Sequence, residues 1–460
     1  MSNYSLKNIS DSNLVAVTLA SVLSVYSCRL HAQQVNFEPI DEAESADFNM
    51  EFDEPESQQS DTTWQDVQNA KSAWDNYLFD PLRVSLTYEL SYKYEEPEKL
   101  INNRPSVRVE YSKFFWERFY ILLDTKTNLF LADDHRNEAG DKWENITAQA
   151  YLQTSMKGTS IRMGYQSIAW GDSEISVVTD EVSPRNNQEL FNFNLEDLRI
   201  GQPMISLNQY TGFGTFNVFY TPEAKFNKYP VEGSAYYFDP FSGAYDVIPD
   251  PSDKRSDELG LSWKKTLGNT DLTLLAASLI DNNYAYESTD PGIVMERRHR
   301  FDMAGLTFVS AVKRFLLRGE VAVKKPLAFT TQQLSLIERD SIEATLGFDY
   351  SASATFTLSF EGVNKHILDW DDTIVIPESR QTLYFGMRKL LLHDDLSFTW
   401  RNIYESPNES YLAMLLTSYK IDDDLSVEFN VSVPTSQDPK SDLWIYRDQK
   451  QVAFKIRYQF

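Results

Sequence analysis

The sequence predicts an all-β fold, a transmembrane antiparallel up-and-down β-barrel of about eighteen strands behind an N-terminal acidic extension. Three observations predict it. Apolar residues recur at every second position from Pro81 to the C-terminus, connections alternate between tight turns and long charged loops, and the chain ends on an amphipathic strand closed by Phe460. Composition agrees: the hydrophobic fraction is 42% and the mean hydropathy −0.43, yet the chain holds 28 Phe, 25 Tyr and 9 Trp. No run approaching ~18 to 20 apolar residues follows the N-terminal segment, which excludes a polytopic helical membrane protein. A barrel spreads its apolar residues over alternate positions and leaves mean hydropathy low. With 43 basic against 68 acidic residues the net charge is −25, which argues against a nucleic-acid partner.

The first element, residues 1–32, reads as a signal peptide. Asn13 to Ser27 is apolar but too short to span a membrane, and Leu30-His31-Ala32 offers a cleavage site before Gln33. Val25-Tyr26-Ser27-Cys28 resembles a lipoprotein box, with a bulky Tyr where a small residue belongs. Cys28 is the only cysteine, so cleavage after Ala32 leaves no thiol for disulfides or zinc.

Residues 33–80 form an acidic periplasmic extension with thirteen carboxylates and the single base Lys71. Dense like charge without a period predicts disorder in its first part. Asp61 to Leu78 places Trp64, Val67, Ala70, Trp74 and Leu78 at helical spacing and predicts a short helix.

Residues 81–460 form the barrel. Val84, Leu86, Tyr88, Leu90 and Tyr92 alternate with Arg83, Ser85, Thr87, Glu89 and Ser91, and the pattern recurs at Val107 to Tyr111, Phe119 to Leu123, Leu259 to Trp263 and Phe356 to Phe360. Alternation alone fits a soluble sandwich equally well. Connections separate the two. Short turns fall at Lys113 to Glu117, Met156 to Thr159, Thr211 to Gly214, Thr266 to Thr270, Ala311 to Lys313, Ser351 to Ser353, Leu391 to Asp394 and Asp422 to Asp424. Long loops fall between them, at Asp133 to Lys142, Trp170 to Gln202, Pro222 to Arg255, Asp281 to Glu296, Lys325 to Arg339, Lys365 to Glu378 and Pro434 to Ser441. Tight turns on one rim and long loops on the other are what an outer-membrane barrel requires. In the last strand Phe454, Ile456, Tyr458 and Phe460 share one face, which resembles the insertion signal that the barrel-assembly machinery reads in Gram-negative outer-membrane proteins.

Few residues carry chemistry. His135 and His366 are expected in loops, His393 in a turn and His299 at a strand edge, with neither metal-ligand spacing nor a nucleophile motif. The sequence therefore predicts no enzyme and no cofactor. Asp133, Asp134, Glu138 and Asp141, and Asp369, Asp371 and Asp372, supply hard oxygen ligands but no full calcium series, and read as solvated acidic loops.

If the apolar face meets lipid, the lumen receives Arg83, Arg108, Arg118, Arg162, Arg314, Arg318, Arg380, Arg388, Arg401 and Arg457, with Lys126, Lys264, Lys324 and Lys455 and about ten acids. Two readings stand: cross-strand ion pairs that brace the wall, and a pore lining biased toward anions. Asn187 to Leu198, with Leu190, Phe191 and Leu195 at helical spacing after an N-cap-like Asn187, predicts a helix that folds inward and narrows the pore. Trp170 and Asp172 belong to the same constriction loop.

Gly164-Tyr165-Gln166, Trp170-Gly171-Asp172-Ser173, Ser183-Pro184-Arg185-Asn186 and Pro203-Met204 resemble the pattern of a porin-like family of unknown function, related in shape to alginate-export barrels. The match spans about Ser160 to Pro230 and departs at Tyr165, where an Arg is common. The resemblance implies passage of lipidic or polyanionic material, coupled to an inner-membrane exporter. Together these readings predict an outer-membrane channel for anionic, amphiphilic or lipidic solutes, set among outer-membrane lipid and lipopolysaccharide. The alternative is a structural or adhesion barrel with ligand-binding surface loops and a blocked lumen.

Overall fold

The computed structural model describes residues 81–116, 118–131, 142–189, 191, 198–239, 241, 243–249 and 256–460. The signal peptide, the acidic extension with its Asp61 to Leu78 segment, and the acidic loop at Asp133 to Asp141 lie outside the described residues.

Eighteen strands close into one antiparallel barrel. In chain order they are β1 (Leu82–Lys93), β2 (Lys99–Phe115), β3 (Phe119–Leu129), β4 (Trp143–Met156), β5 (Thr159–Gln166), β6 (Gln202–Thr211), β7 (Gly214–Thr221), β9 (Glu258–Leu267), β10 (Thr270–Ile280), β13 (Arg300–Val312), β14 (Phe315–Thr330), β15 (Leu336–Ser353), β16 (Phe356–Ile367), β17 (Ser379–Leu391), β18 (Leu396–Ser406), β19 (Ser410–Lys420), β20 (Leu425–Ser436) and β21 (Gln451–Gln459). A small second sheet outside the wall joins β8 (Asp246–Pro249), β11 (Ala285–Asp290) and β12 (Ile293–Arg297). Closure comes from β21 pairing antiparallel with β1, from Ser85 opposite Gln459 to Lys93 opposite Gln451. Among the described residues the 18-stranded sheet has no unpaired edge strand, which matters because lipid cannot satisfy free backbone groups.

Side-chain direction is inverted relative to a soluble sandwich. Leu261, Leu346, Leu383 and Met163 face outward and are 47%, 66%, 55% and 64% exposed, while Ser206, Ser262, Thr307 and Glu361 face inward and are buried. Outward apolar side chains on a closed wall identify hydrocarbon as the surrounding solvent. Exposed aromatics mark the turn rim, among them Phe114, Trp116, Tyr210 and Phe213. Their amphipathic or polarisable rings suit the headgroup layer.

All eight tight turns lie on one rim, where the sequence places them, and both ends of the barrel fall on that rim. The opposite rim differs from expectation in three places. Connections at 94–98 and 407–409 are short, although they lie on the long-loop rim. The expected loop Lys325 to Arg339 is mostly strand, because β14 and β15 keep pairing past the wall from Leu327 opposite Arg339 to Thr330 opposite Leu336. Its charged residues are solvated strand positions, and the bulge at Pro326 masks the period. His366 likewise sits in β16 rather than in a loop.

Candidate functional site

The lumen owes its form to an apolar inner wall. From β6 to β16 the inward positions include Met204, Phe219, Leu275, Ala277, Leu279, Phe301, Met303, Ala322 and Val363, all buried. The β5–β6 connection, residues 167–201, covers them with Trp170, Val178 and Val182, the last two fully buried. Trp170 meets Phe219 edge-on at 5.3 Å. Gly260 makes room for both rings: a Cβ there would lie 2.3 Å from Phe219 and 2.7 Å from Trp170. Burying such side chains contributes about 1.5 to 3 kcal/mol each, so the loop is glued inside the barrel.

Polar anchors fix its path. The Glu320 carboxylate on β14 accepts four hydrogen bonds from the loop: Asp172 N at 2.6 Å and Ser173 N at 2.7 Å on one oxygen, Thr179 N at 3.2 Å and Thr179 Oγ1 at 2.7 Å on the other. On β16, Glu361 accepts from Ser173 Oγ and Glu174 N. Lys324 binds Glu181 at 2.6 Å and Glu343 at 2.9 Å, and Lys365 donates to Val177 O. Within the loop Asp180 joins Arg185 at 2.8 Å, Arg199 at 2.7 Å and Trp170 N at 3.1 Å, tying its two ends together. Farther on, Glu189 pairs with Arg104 on β2, which also holds Glu89 on β1 at 2.8 Å. Phe191 then packs with Ile101, Leu412, Met414 and Tyr236, and meets Tyr446 edge-on. The loop thus reaches wall strands on several sides of the lumen.

The expected site residues that fall among the described residues divide between the loop, the wall and the turn rim. Trp170, Asp172, Asn187 and Phe191 belong to the inserted loop, whereas Leu190 and Leu195, and with them the core of the expected helix, lie outside the described residues. Arg118 and Arg314 sit in turns on the rim, Arg314 donating to Ala352 O, so neither lines the wall. Arg83 is exposed near that rim opposite Glu110. Arg108 holds Asp124 at 2.6 Å, Arg318 holds Asp349 at 2.8 Å with Glu361 and Glu174 nearby, and Arg380 holds Glu405 and Asp442 at 3.0 Å. Arg457 faces inward opposite Ser426 and Thr87. Arg162, Arg388 and Arg401 make no ion pair among the described residues. The Nε of Arg162 donates to Gln153 and its guanidinium lies 5.3 Å from the Tyr151 ring, while the Nε of Arg401 is buried with no partner. On β21, Phe454 and Ile456 face outward; Tyr458 contacts Phe460 edge-on, and Phe460 N bonds Val84 O.

Sequence reasoning missed Arg104, whose Asn102-Asn103-Arg104-Pro105 setting reads as a loop; its even spacing from Arg108 was the available signal. Among the described residues, a chamber and a narrow cleft lie beside the loop. A chamber of about 590 Å³ opens on its turn-rim side, lined by Arg162, Asp172, Asn208, Asn217, Ser262 and Thr307 among others. A cleft of only about 20 Å³ lies between Phe191, Tyr236, Glu89 and Asn430. Burial pushes the Asp172 carboxyl above its ordinary range, Lys264 and Arg318 opposing. Among the described residues no group of three His, Cys, Asp or Glu side chains could hold a metal, and Asp371 is engaged with Thr373 N and Oγ1.

A closed 18-stranded wall with an outward apolar face and a loop folded into the lumen defines a porin-like barrel of the Gram-negative outer membrane. More particularly, residues 56–405 match the family model described as a protein of unknown function, DUF1302, and the chain belongs to that family. Among solved structures the fold is similar to Acinetobacter baumannii OccAB1 (TM-score 0.52, 9% identity, 84% of this chain and 97% of that one). It is similar too to Pseudomonas aeruginosa OccK8 (OprE) (0.52, 8%, 84% and 99%) and to Pseudomonas aeruginosa OpdK with vanillate (0.51, 8%, 83% and 99%). None of the curated proteins compared matches the sequence.

Proposed function

We propose that the protein is a porin-like channel for small polar solutes with a bias toward anions, and that it performs no catalysis. The observation that carries this reading is the charge balance beside the inserted loop. The inward carboxylates Glu89, Asp124, Asp271, Glu343, Asp349, Glu405 and Glu428 each have a cationic partner, and Glu258 and Glu320, which have none, are sealed behind neutral hydrogen bonds; Asp172 of the loop and Arg162, Arg388 and Arg401 of the wall make no ion pair among the described residues, which leaves the bases in excess. Cations without counterions in a narrow, low-dielectric passage raise the local concentration of anions. The apolar wall is already covered by Trp170, Val178 and Val182, which supports a water-soluble cargo over a lipidic one. OpdK, whose structure was solved with vanillate, offers a fold-level parallel for a small carboxylate.

Conductance of the purified protein in planar bilayers tests the reading. The double substitution R388E/R401E should shift the reversal potential in a salt gradient toward cations. Current without any such shift would reduce these arginines to wall bracing. The second reading, an adhesion barrel with a blocked lumen, is favoured by the cleft of about 20 Å³ at Phe191 and Tyr236. Absence of current before and after deletion of residues 187–198 would select it.

A further inference from the structure

We propose that the chamber beneath the inserted loop is a binding subsite for small zwitterions, solutes that carry one carboxylate and one ammonium group. This rests on the channel reading for the way solutes arrive, but the site is defined by the chamber itself. Two unmatched charges of opposite sign line the same space of about 590 Å³. One is Arg162 on β5, oriented by Gln153 at 2.7 Å and the Tyr151 ring, with no acid to neutralise it. The other is Asp172. Its backbone N–H and that of Ser173 are fixed on Glu320, so its position is set by the anchor, yet its carboxylate makes no ion pair among the described residues. Lys264 also lines the chamber, but its ammonium is committed to Asp271 at 3.0 Å.

A third observation points to a ligand. Asn217 Nδ2 donates to Asn208 Oδ1 at 2.8 Å, which leaves Asn217 Oδ1 as a buried acceptor with no donor. Such an oxygen is satisfied by an O–H or N–H from the solvent or from a bound solute. Burial also raises the Asp172 carboxyl above its ordinary pKa, and an ammonium group would reverse that shift. Selectivity follows from what is left over. A solute with a carboxylate alone pairs Arg162 and leaves Asp172 desolvated without a partner, an amine alone does the converse, and a zwitterion satisfies both.

Isothermal titration of the full-length protein in detergent micelles tests this with three probes of similar size: L-serine, glycerate, in which a hydroxyl replaces the ammonium, and serinol, in which a hydroxymethyl replaces the carboxylate. We expect L-serine to bind at least about tenfold more tightly than either, the span of one complementary charge pair. D172N should bring glycerate level with serine, R162Q should bring serinol level with serine, and R162K should retain the wild-type order. Equal affinities in the wild type, no heat with any probe, or variants that weaken all three alike would each overturn the proposal. Planar-bilayer currents from the same preparation separate the two claims. Current that L-serine does not modulate, with no binding heat, removes the subsite and keeps the channel; serine binding without current does the reverse.

Discussion

Replacing Glu320 with Gln should release the inserted loop without disturbing the wall. The carboxylate is 5% exposed and accepts four hydrogen bonds, two on each oxygen. A Gln amide that turns its NH2 toward Thr179 keeps the bonds from Asp172 N and Ser173 N on its oxygen and donates to Thr179 Oγ1, a hydroxyl that can reverse, so the bond from Thr179 N is the one lost. A hydrogen bond to a buried charged group contributes about 1.5 to 3 kcal/mol, and that is the expected loss. At ~1.4 kcal/mol per tenfold, opening of the segment around Thr179 becomes about one to two decades more frequent. Hydrogen exchange read by mass spectrometry measures that opening directly, because the Thr179 amide is itself one of the four donors. Peptides covering Asp172 to Thr179 should exchange faster by that factor while β14 and β15 keep their protection. Unchanged exchange would show that Trp170, Val178 and Val182 alone hold the loop. Equal loss of protection throughout the barrel would show that Glu320 supports the wall instead.

Two further outcomes are expected. Leu261→Arg, on the lipid face, should destabilise the folded barrel by about 2 to 4 kcal/mol in a denaturant titration, whereas Thr357→Arg, on the lumenal face, should cost much less; similar costs would invert the assignment of faces. Asp281, just beyond β10, is pushed up to about 6 by burial, with Glu181 adding to the shift. Its protonated form is therefore favoured in the folded state, and the stability it adds is present below about pH 4 and lost as the pH rises through about 6. After correction for intrinsic rates, the turn at Asp281 to Asn283 should exchange faster at pH 7.5 than at pH 5, and D281N should abolish the difference.

The barrel was legible because lipid and water impose period two on nearly every strand, and because tight turns need few residues. Where the wall outgrows the membrane, as in β14 and β15 beyond Pro326, charged solvated strand looks like loop. The lumen was less legible for a related reason. Leu272 to Ile280 reads Leu-Thr-Leu-Leu-Ala-Ala-Ser-Leu-Ile, in which alternation nearly vanishes. An apolar run of that kind signals a strand covered on both faces. Alternation alone does not pick it out, and Leu275, Ala277 and Leu279 point into the barrel. Likewise Glu320 and Glu361 were legible as lumenal acids, but not as acceptors for a loop some 140 to 190 residues earlier in the chain.

Obstruction and passage then follow from a single asymmetry in the wall. Bare apolar side chains inside a water-filled barrel would be costly, so the strands from β6 to β16 require a cover, and the β5–β6 connection supplies one. The cover can only settle where its backbone donors and charges find partners, which Glu320, Glu361, Lys324 and Lys365 provide on that same side. The loop's far end covers a second apolar patch, Ile101, Leu412 and Met414, through Phe191, and between these contacts the exposed Arg388 and the chamber at Arg162 stay available to water. On the proposed channel reading, the route for solute is displaced away from the β6–β16 wall, and its lining is what remains after the loop has consumed the acids it needs. Arg318 illustrates the consequence. Although it lies on the lumenal face, Asp349, Glu361 and Glu174 neutralise it, so on the proposed channel reading the anion bias falls to Arg162, Arg388 and Arg401, which make no ion pair among the described residues.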